Sequence, residues 1–403
     1  MRILFVTQKF PYPLDNGGNV RSYNLLRGLA QEHEVTLLAT DSGDVLEEHL
    51  LALRPFCREI RLVRVRKTGL FGSAILFARS LVGAAPFVLL RHTERAVHRE
   101  IRSIFAAKDR AFDAVHFNHL DTTLYEPDVP PGVLRIVDEH NVVANQVKTT
   151  LPAETRFPHK LILRHELPKL SAFEARVCNL MDLCLVCSDD DEKALRELGV
   201  VSPIAVIPNG ADLEYFRPLS MRPAGSREIT FVGTLDYDPC EKGVWYCCTQ
   251  ILPLIRQQVP DIRFVVVGRN PSRRLRDLAA ADANIVLTGR VEDIRPHVQR
   301  AGAFVVPLLS GSGTRLKIIE AMAMGVPVIS TTVGAEGIAA RSGVHLHIAD
   351  DPASFSRAVI HVLQDSQDAS SLSNHARALV ENQYGWPAIC RALLKSYAAA
   401  QAN

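Results

Sequence analysis

Residues 310–330 read SGSGTRLKIIEAMAMGVPVIS, and the order of elements in this stretch indicates an α/β protein. Small residues form a turn, an apolar helical run follows, and Gly-Val-Pro separates that helix from a β-rich strand. Arg315 and Lys317 would lie in the first turn of the helix, where the helix dipole disfavours positive charge. A bound anion would offset this cost, because the free amides of a helix start attract negative groups. The stretch therefore predicts a diphosphate at the start of this helix.

The alternation of strands and helices continues along almost the whole chain. Short β-rich runs such as RILFVTQ and ITFVGTL are each followed by a loop or an amphipathic helical run. This alternation predicts parallel strands connected by crossover helices. Residues 206–228 are rich in Pro, Gly and Arg, and we interpret them as a linker between domains at 1–205 and 229–384. Doubly wound sheets bind ligands at the carboxyl ends of their strands, so the candidate residues are sought there.

Composition excludes several classes of protein. The chain has 403 residues, 47% of them hydrophobic, and a formal net charge of +2. A general nucleic-acid binder would carry a large cationic excess, so we expect no nucleic-acid partner. Eight cysteines in this length do not form a disulfide scaffold, and we expect buried, reduced thiols in a cytoplasmic protein.

The apolar segment at 70–92 is interrupted by two glycines, an arginine and a proline, so it is too broken to span a membrane. Four cations precede it: Arg61, Arg64, Arg66 and Lys67. One interpretation is peripheral contact with the inner membrane face near 61–92, and the other is an ordinary core helix. The sequence leaves both open.

In the first domain, the loop KFPYPLDNGGNVR contains Gly17 and Gly18, whose backbone can approach an anion just before a helix expected at Val20. A simple tight turn is the alternative. His140 ends the strand in RIVDEHN and could exchange a hydrogen bond with a sugar hydroxyl, or could cap a helix. For His116 and His119, at another strand end, structural and ligand-lining roles are equally favoured.

In the second domain, Lys242 precedes a helix beside a glycine and could reach a phosphate, or could be a solvated surface lysine. Glu320 lies one turn beyond Leu316 and could accept two hydrogen bonds from a ribose diol, or could be a buried salt-bridge partner. The acidic run SDDDE at 188–192 suggests a metal site, but a helix capped by Ser188 explains it better. We therefore expect no metal.

At this point the sequence resembles a known family. The pieces FVTQKFPYPLDNGG, VIPNGADLEYFRP, ITFVGTLDY, FVVVGRNP, LTGRVEDI and GTRLKIIEAMAMGVPVISTTVGAEG are similar to those of retaining, nucleotide-sugar-dependent glycosyltransferases of the GT-B fold. The resemblance implies two doubly wound, Rossmann-like domains facing a central cleft. The carboxy-terminal domain would bind the nucleotide diphosphate sugar and the amino-terminal domain the acceptor. The last helix, at about 385–403, would pack back onto the first domain.

The resemblance also implies residue roles. Glu320 matches the ribose-holding second glutamate of the family's E-x7-E signature, and Arg315 and Lys317 match the diphosphate site. His140 would lie beside the transferred sugar, so that His140, Arg315 and Lys317 form the implied catalytic set. The implied donor-binding set is Gly17, Gly18, Gly233, Thr234, Lys242, Arg290, Val291, Ser312, Gly313, Thr314, Leu316 and Glu320. The implied reaction is metal-independent transfer, without a cofactor, to a hydroxyl of a sugar, lipid-linked or small-molecule acceptor.

Two positions depart from the family pattern. The first glutamate of the signature is replaced by Ser312, and the usual Gly-Arg after the FVG strand is Gly233-Thr234. We hypothesise that Arg315 and Lys317 stand in for the missing arginine. The alternatives are a nucleotide-sugar epimerase or hydrolase on the same fold, and a non-catalytic subunit that binds a sugar nucleotide.

Overall fold

The structure is a computed structural model that describes residues 1–65, 75–76, 80, 83, 86–91, 93–107, 111–151, 157–219, 225–311 and 313–402. It consists of two compact units. The first is Met1–Pro208 with Ile389–Asn403, and the second is Asn209–Ala388. Each unit contains one sheet, with seven strands in the first and six in the second. The prediction of two parallel-sheet α/β domains is therefore confirmed.

The first sheet consists of β1 (Arg2–Thr7), β2 (Glu34–Asp41), β3 (Glu59–Arg64), β4 (Ala114–Asn118), β5 (Leu134–Glu139), β6 (Leu183–Val186) and β7 (Ile204–Val206). All pairs are parallel, and the order is β3-β2-β1-β4-β5-β6-β7. The helices described here are α1 (Gly17–Leu29), α2 (Glu47–Leu53), α3 (Phe87–Leu90), α4 (Arg95–Ala106), α5 (Val143–Thr150), α6 (Phe157–Cys178) and α7 (Asp189–Glu197), with a 3₁₀ segment at Leu120–Asp128.

The second sheet consists of β8 (Glu228–Val232), β9 (Arg263–Val267), β10 (Ile285–Gly289), β11 (Ala303–Val306), β12 (Val328–Ser330) and β13 (His347–Ile348). Its order is β10-β9-β8-β11-β12-β13, again all parallel. Its helices are α8 (Asp238–Tyr246), α9 (Leu252–Arg256), α10 (Arg273–Ala281), α11 (Arg295–Arg300), α12 (Leu316–Ala323), α13 (Pro352–Gln364) and α14 (Ser366–Gln383), with a π-helical turn at Cys247–Ile251. The last helix, α15 (Trp386–Ala402), starts in this unit.

The central strands of both sheets are buried on both faces, which explains why they read as continuous apolar runs. Leu4, Phe117 and Val137 are fully buried in the first unit, and Phe231 and Phe304 are buried in the second. All eight cysteines are free thiols, and all but the partly buried Cys57 are buried, as expected. The strand order reverses between β1 and β4, and again between β8 and β11. These two points of reversal are where a doubly wound sheet opens a crevice for a ligand.

From Ile389 onward, α15 belongs to the first unit. A Cβ atom on Gly28 would lie 2.6 Å from Cys390 Sγ, so only glycine lets α1 approach α15 this closely. Farther along, the Tyr397 hydroxyl lies 2.6 Å from His116 Nδ1. His116 stacks on Phe5 and is fully buried, and burial lowers its pKa to about 4. Of the two roles left open for His116, the structure supports the structural one.

Candidate functional site

In the second unit, Gly233 and Thr234 follow β8, and Gly313, Thr314 and the residues of α12 follow β11; these are the two strands at the point of reversal. Ala303 and Phe304 of β11 pair in register with Ile229 and Thr230 of β8. Because parallel strands end at the same edge, Gly233 and the segment that leads into α12 share that edge. Gly268, after β9, lies against them, since a Cβ there would be 1.8 Å from the Gly233 carbonyl oxygen.

The structure brings Lys317 and Gly233 into contact. The Lys317 ammonium lies 4.5 Å from the centre of the Phe231 ring and 3.6 Å from Cys240 Sγ. A Cβ on Gly233 would lie 2.8 Å from the same Nζ atom. Burial lowers the pKa of Lys317, with Cys240 acting in the opposite direction. Glycine at 233 is thus what leaves room for a partly dehydrated cation at the end of β8.

Arg315 lies at the start of α12 but not in its first turn. Its backbone angles, φ −86° and ψ 88°, are not helical, so the helix begins one residue later, at Leu316. Both cations were expected in the first turn, and only Lys317 is there. Arg315 Nη1 donates to the Gly313 carbonyl at 2.6 Å, and Nη2 would lie 3.0 Å from a Cβ on Gly311. Burial lowers the pKa of this guanidinium, against the influence of Tyr237 and Glu336.

Glu320 lies one turn after Leu316 and is half-buried. Burial raises the pKa of its carboxyl to about 7, and the nearby Lys317 acts in the opposite direction. Among the described residues Glu320 forms no salt bridge. A carboxyl that is partly dehydrated and has no charged partner in contact is available to accept hydrogen bonds from a diol.

The remaining predicted residues of this unit are less closely grouped. Thr314 Oγ1 donates to the Gly337 carbonyl at 3.5 Å, and Gly313 adopts a positive φ of 84° that favours glycine. The half-buried Thr234 accepts from the Tyr237 amide through its carbonyl at 3.2 Å. Lys242 was expected before a helix but lies within α8, where it forms an exposed ion pair with Asp238 at 2.8 Å. After β10, Arg290 is exposed and Val291 half-buried, whereas Ser312 lies outside the described residues.

In the first unit, the structure brings Gly18 and His140 together. Helix α1 begins at Gly17, three residues before the expected start, because the Asn16 side chain accepts from the Asn19 amide at 3.0 Å and caps it. A Cβ on Gly18 would lie 3.8 Å from His140 Nδ1. The two glycines therefore form the first turn of a helix that faces the end of β5.

His140 is held by a buried network that the sequence did not predict. Its Nε2 atom lies 3.1 Å from Asp138 Oδ2 and 3.1 Å from Asn118 Oδ1. Arg21 donates to both oxygens of Asp138, at 3.1 and 2.9 Å from Nε. Burial alone would raise the pKa of the Asp138 carboxyl, but the charge of Arg21, followed by that of His140, holds it well below its usual value. Burial also lowers the pKa of His140, against the influence of Asp138.

Helix α5, which follows His140, is not capped by it. The Val143 and Ala144 amides donate to the Glu174 carboxylate at 2.6 and 2.8 Å, so Glu174 has the capping role considered for His140. Burial raises the pKa of Glu174 to about 7, although these two amides act in the opposite direction. At the end of β4, His119 has a positive φ of 84°, and its Nδ1 atom lies 3.3 Å from Asp121.

The other expectations concern metals and membranes. Ser188 caps α7 by accepting from the Asp191 amide at 3.2 Å, as the capping interpretation of the acidic run requires. No group of three potential ligands that could hold a metal was found within the described part of the chain.

No helix among the described residues is long and apolar enough to cross a bilayer. Arg61 pairs with Glu59 and Glu100, and Arg64 with Asp41, whereas Arg66, Lys67 and most of 70–92 lie outside the described residues.

Comparison with known proteins gives consistent results for both units. Residues 15–215 match the model of Glycosyltransferase Family 4, and residues 226–365 match that of Glycosyl transferases group 1. A phosphatidyl-myo-inositol mannosyltransferase of Mycolicibacterium smegmatis is 24% identical over 312 residues, covering 75% of this chain and 74% of the relative. An uncharacterized 44.6 kDa protein in the cps region of Klebsiella pneumoniae is 20% identical over 396 residues, covering 95% and 96%.

Two solved structures show the same fold. Sucrose-phosphate synthase from Thermosynechococcus elongatus superposes with a TM-score of 0.73 at 18% identity, covering 100% of this chain and 99% of the other. HepE of Anabaena, in complex with UDP, superposes with a TM-score of 0.70 at 12% identity, covering 99% and 100%. At these identities the likeness establishes the fold and not the substrate.

Proposed function

Because the chain belongs to the glycosyltransferases of group 1 and family 4, with the GT-B fold, we propose that it transfers a sugar from a nucleoside diphosphate sugar to an acceptor hydroxyl. The observation that carries the proposal is the arrangement of Gly233, Lys317 and Glu320 at the edge of the second sheet. It combines a cation at a helix start with a carboxyl one turn away, which is the pair of groups that a diphosphate and a ribose require.

In this proposal, the diphosphate rests on the first amides of α12. The first amides of an α-helix lack partners within the helix and favour an anion. Lys317 and Arg315 add charge, so that they neutralise the diphosphate as the bond to the sugar breaks. Glu320, in its ionised form, accepts from the two ribose hydroxyls. The proposed mechanism is metal-independent, with retention at the anomeric carbon as the family resemblance implies.

Lys317 and Arg315 also account for the departure at Thr234. Lys317 Nζ lies beside Gly233, 2.8 Å from the position that a Cβ at 233 would take. In this proposal, the cation on α12 takes the place of an arginine from the loop after β8. We propose this substitution of one cation by another as the reason that a threonine is tolerated at 234.

The donor and acceptor classes are proposed from the relatives. HepE of Anabaena has been crystallised with UDP and with UDP-glucose, and several relatives are named phosphatidyl-myo-inositol mannosyltransferases. We propose a nucleoside diphosphate hexose as donor and a lipid-linked or glycosidic acceptor, used by a cytoplasmic protein at the inner membrane face. Co-sedimentation with liposomes tests the membrane part; a protein that remains in the supernatant with every lipid composition contradicts it.

A thermal-shift screen of nucleoside diphosphate sugars tests the proposal. A ligand that binds only the folded state stabilises by about 2.7 kcal/mol at a hundredfold excess over its Kd, so the true donor should stand out. Lys317→Met should strongly reduce the shift, whereas Arg273→Met, which removes an exposed cation of the same unit, should keep it. The stabilising donor is then incubated with candidate acceptors, and NMR of the product reads the anomeric configuration. If no nucleotide sugar shifts the wild-type melting temperature, the proposal fails.

A further inference from the structure

We propose that the rings of Tyr12, Tyr23 and Phe56, which we call the aromatic platform, form a binding surface for a neutral oligosaccharide. All three side chains are half-buried, and all three belong to the first unit. The inference goes beyond the proposed function, which concerns the nucleotide sugar and the hydroxyl that reacts. It assigns a surface to sugar units that take no part in the transfer.

The first step of the argument is that the three rings form one row, although they come from different parts of the chain. Tyr12 lies in the loop after β1, Tyr23 on α1, and Phe56 between α2 and β3. The ring centres of Tyr12 and Tyr23 are 6.3 Å apart, and those of Tyr23 and Phe56 are 5.8 Å apart with an interplanar angle of 87°. The Tyr12 ring also packs at 5.5 Å against the buried His49. Aromatic rings at these separations attract one another, so the row is a fixed surface.

The second step is the polar groups at the edges of the rings. Among the described residues, neither the Tyr12 nor the Tyr23 hydroxyl forms a hydrogen bond. Burial raises the pKa of Tyr23, against the influence of Arg27, so its hydroxyl keeps its proton at physiological pH and can both donate and accept. The exposed Arg27 guanidinium lies 5.9 Å from the centre of the Phe56 ring and adds donors at that end of the row. Such a surface matches a pyranose, whose C–H faces pack on aromatic rings while its hydroxyls bind polar groups.

The third step is the charge around the platform, which distinguishes a sugar from a membrane or a nucleic acid. The exposed Asp15 follows Tyr12 by three residues, and the carboxylate of Glu48, 75% exposed, lies 3.8 Å from His49. With Arg27 at the other end, the surroundings are mixed in charge, whereas anionic lipids and nucleic acids bind to surfaces with an excess of cations. Carboxylates accept hydrogen bonds from sugar hydroxyls, so the surroundings favour an uncharged oligosaccharide.

Tyr215, in the second unit, provides the contrast. It is 41% exposed and also contacts an aromatic ring, since the ring centres of Tyr215 and Phe216 are 4.9 Å apart. However, the Arg295 guanidinium lies 3.7 Å from the centre of the Tyr215 ring, and Asp293 accepts from the Tyr215 hydroxyl at 3.4 Å. One ring face and the hydroxyl are thus already engaged by the protein. We therefore expect no sugar to bind there, and Tyr215 is the matched control.

The test is ¹⁹F NMR of the full chain labelled with 3-fluorotyrosine. The signals are assigned by their loss in Tyr12→Phe, Tyr23→Phe and Tyr215→Phe. The protein is titrated with maltohexaose, mannohexaose and laminarihexaose in turn. We expect at least one of them to shift the Tyr12 and Tyr23 signals to saturation, whereas the Tyr215 signal stays in place. If no hexasaccharide moves the two signals, or if only vesicles containing anionic phospholipid move them, the proposal is overturned.

Tyr23→Ala and Tyr215→Ala provide the second measurement. Tyr23→Ala removes the central ring of the row and should weaken binding of the effective hexasaccharide about three- to tenfold, whereas Tyr215→Ala should bind it as wild type does. The signal of Tyr397, a fully buried ring, shows whether each variant is folded. A folded Tyr23→Ala chain with the wild-type affinity overturns the proposal. Where Tyr23→Ala does not fold, the wild-type titration decides.

The titrations contain no nucleotide sugar and require no turnover, so they separate this inference from the proposed function. A chain that binds a hexasaccharide on the platform but is stabilised by no nucleotide sugar refutes the function and supports the platform. A chain that is stabilised by a nucleotide sugar but binds no hexasaccharide does the reverse.

Discussion

The ammonium of Lys317 occupies the space that a side chain at Gly233 would need, because a Cβ there would lie 2.8 Å from Nζ. Gly233 follows β8, and Lys317 lies in the first turn of α12, which follows the neighbouring strand β11. Their contact relates a glycine and a lysine that sequence patterns treat separately. It also determines how the proposed phosphate site can be tested.

Gly233→Ala is expected to displace Lys317 and to weaken binding of the nucleoside diphosphate sugar about tenfold, as measured by isothermal titration calorimetry. The added methyl group would also press on Phe231 and Cys240, at 2.9 and 3.0 Å, so some loss of stability is expected too. The control is a double-mutant cycle. In a Lys317→Met background the same alanine should cost little further affinity, since the cation is already gone; additive losses would contradict the contact.

Lys317→Met should weaken nucleoside diphosphate binding by about 1.5–3 kcal/mol, because a charge-assisted contact to phosphate is lost. Binding of the corresponding nucleoside, which has no phosphate, should change little. Lys317→Arg should retain part of the affinity, although Gly233 leaves limited room for a guanidinium. Equal losses for nucleoside and nucleotide would show that Lys317 acts on the fold rather than on the phosphate.

The raised pKa of the Glu320 carboxyl predicts that binding of the donor depends on pH. Its pKa is raised to about 7, and ribose hydroxyls need an ionised acceptor, so donor binding should release a proton between pH 6 and 7 and strengthen as pH rises. Calorimetry in buffers of different ionisation enthalpy measures this proton. Glu320→Gln should abolish the release. A nucleoside diphosphate sugar is the probe, because its phosphates do not titrate in this range.

The same carboxyl should make the folded state less stable as pH rises, whereas donor binding should become stronger. The folded state binds the Glu320 proton more tightly than the unfolded chain, in which the carboxyl has its ordinary pKa of about 4.5. Its contribution is therefore present at low pH and is lost as pH rises from about 4.5 to about 7. In that window, Glu320→Gln should lose less stability than wild type in denaturant titrations of the ligand-free protein. An identical pH slope in the two proteins would contradict the raised pKa.

Tyr397→Phe should destabilise the first unit by about 1–3 kcal/mol, because the buried Nδ1 atom of His116 loses its hydroxyl partner. Chemical denaturation measures the change. Tyr23→Phe is the control: the described residues give no hydrogen bond to its hydroxyl, so removal of the same atom should have a smaller effect. If both variants lose the same stability, the His116 hydrogen bond is not the cause.

The sequence predicted both sheets because strand and helix signals are local. It placed the start of α1 three residues late, since the capping by Asn16 was overlooked in favour of the two glycines after it. The candidate residues around α12 could be predicted for the same reason, because the turn, the two cations and the carboxylate all lie in the stretch 310–330.

Contacts between residues far apart in the chain could not be predicted from local sequence patterns. Arg21 and Asp138 are 117 positions apart, and Lys317 and Cys240 are 77 apart. Both pairs depend on which strands are neighbours, and strand order is a property of the packed sheet that no local pattern encodes. Asp138 was visible as a strand-end carboxylate, but its partner on α1 was not.

The division of the chain has a practical consequence for protein engineering. The second unit, Asn209–Ala388, is one uninterrupted segment, whereas the first is assembled from Met1–Pro208 and Ile389–Asn403. Grafting the corresponding segment of a relative between positions 208 and 389 would exchange the proposed nucleotide-binding half as a cassette, while both termini and the Gly28–Cys390 packing stay native. Truncation before 389 would instead remove the helical segment that completes the first unit.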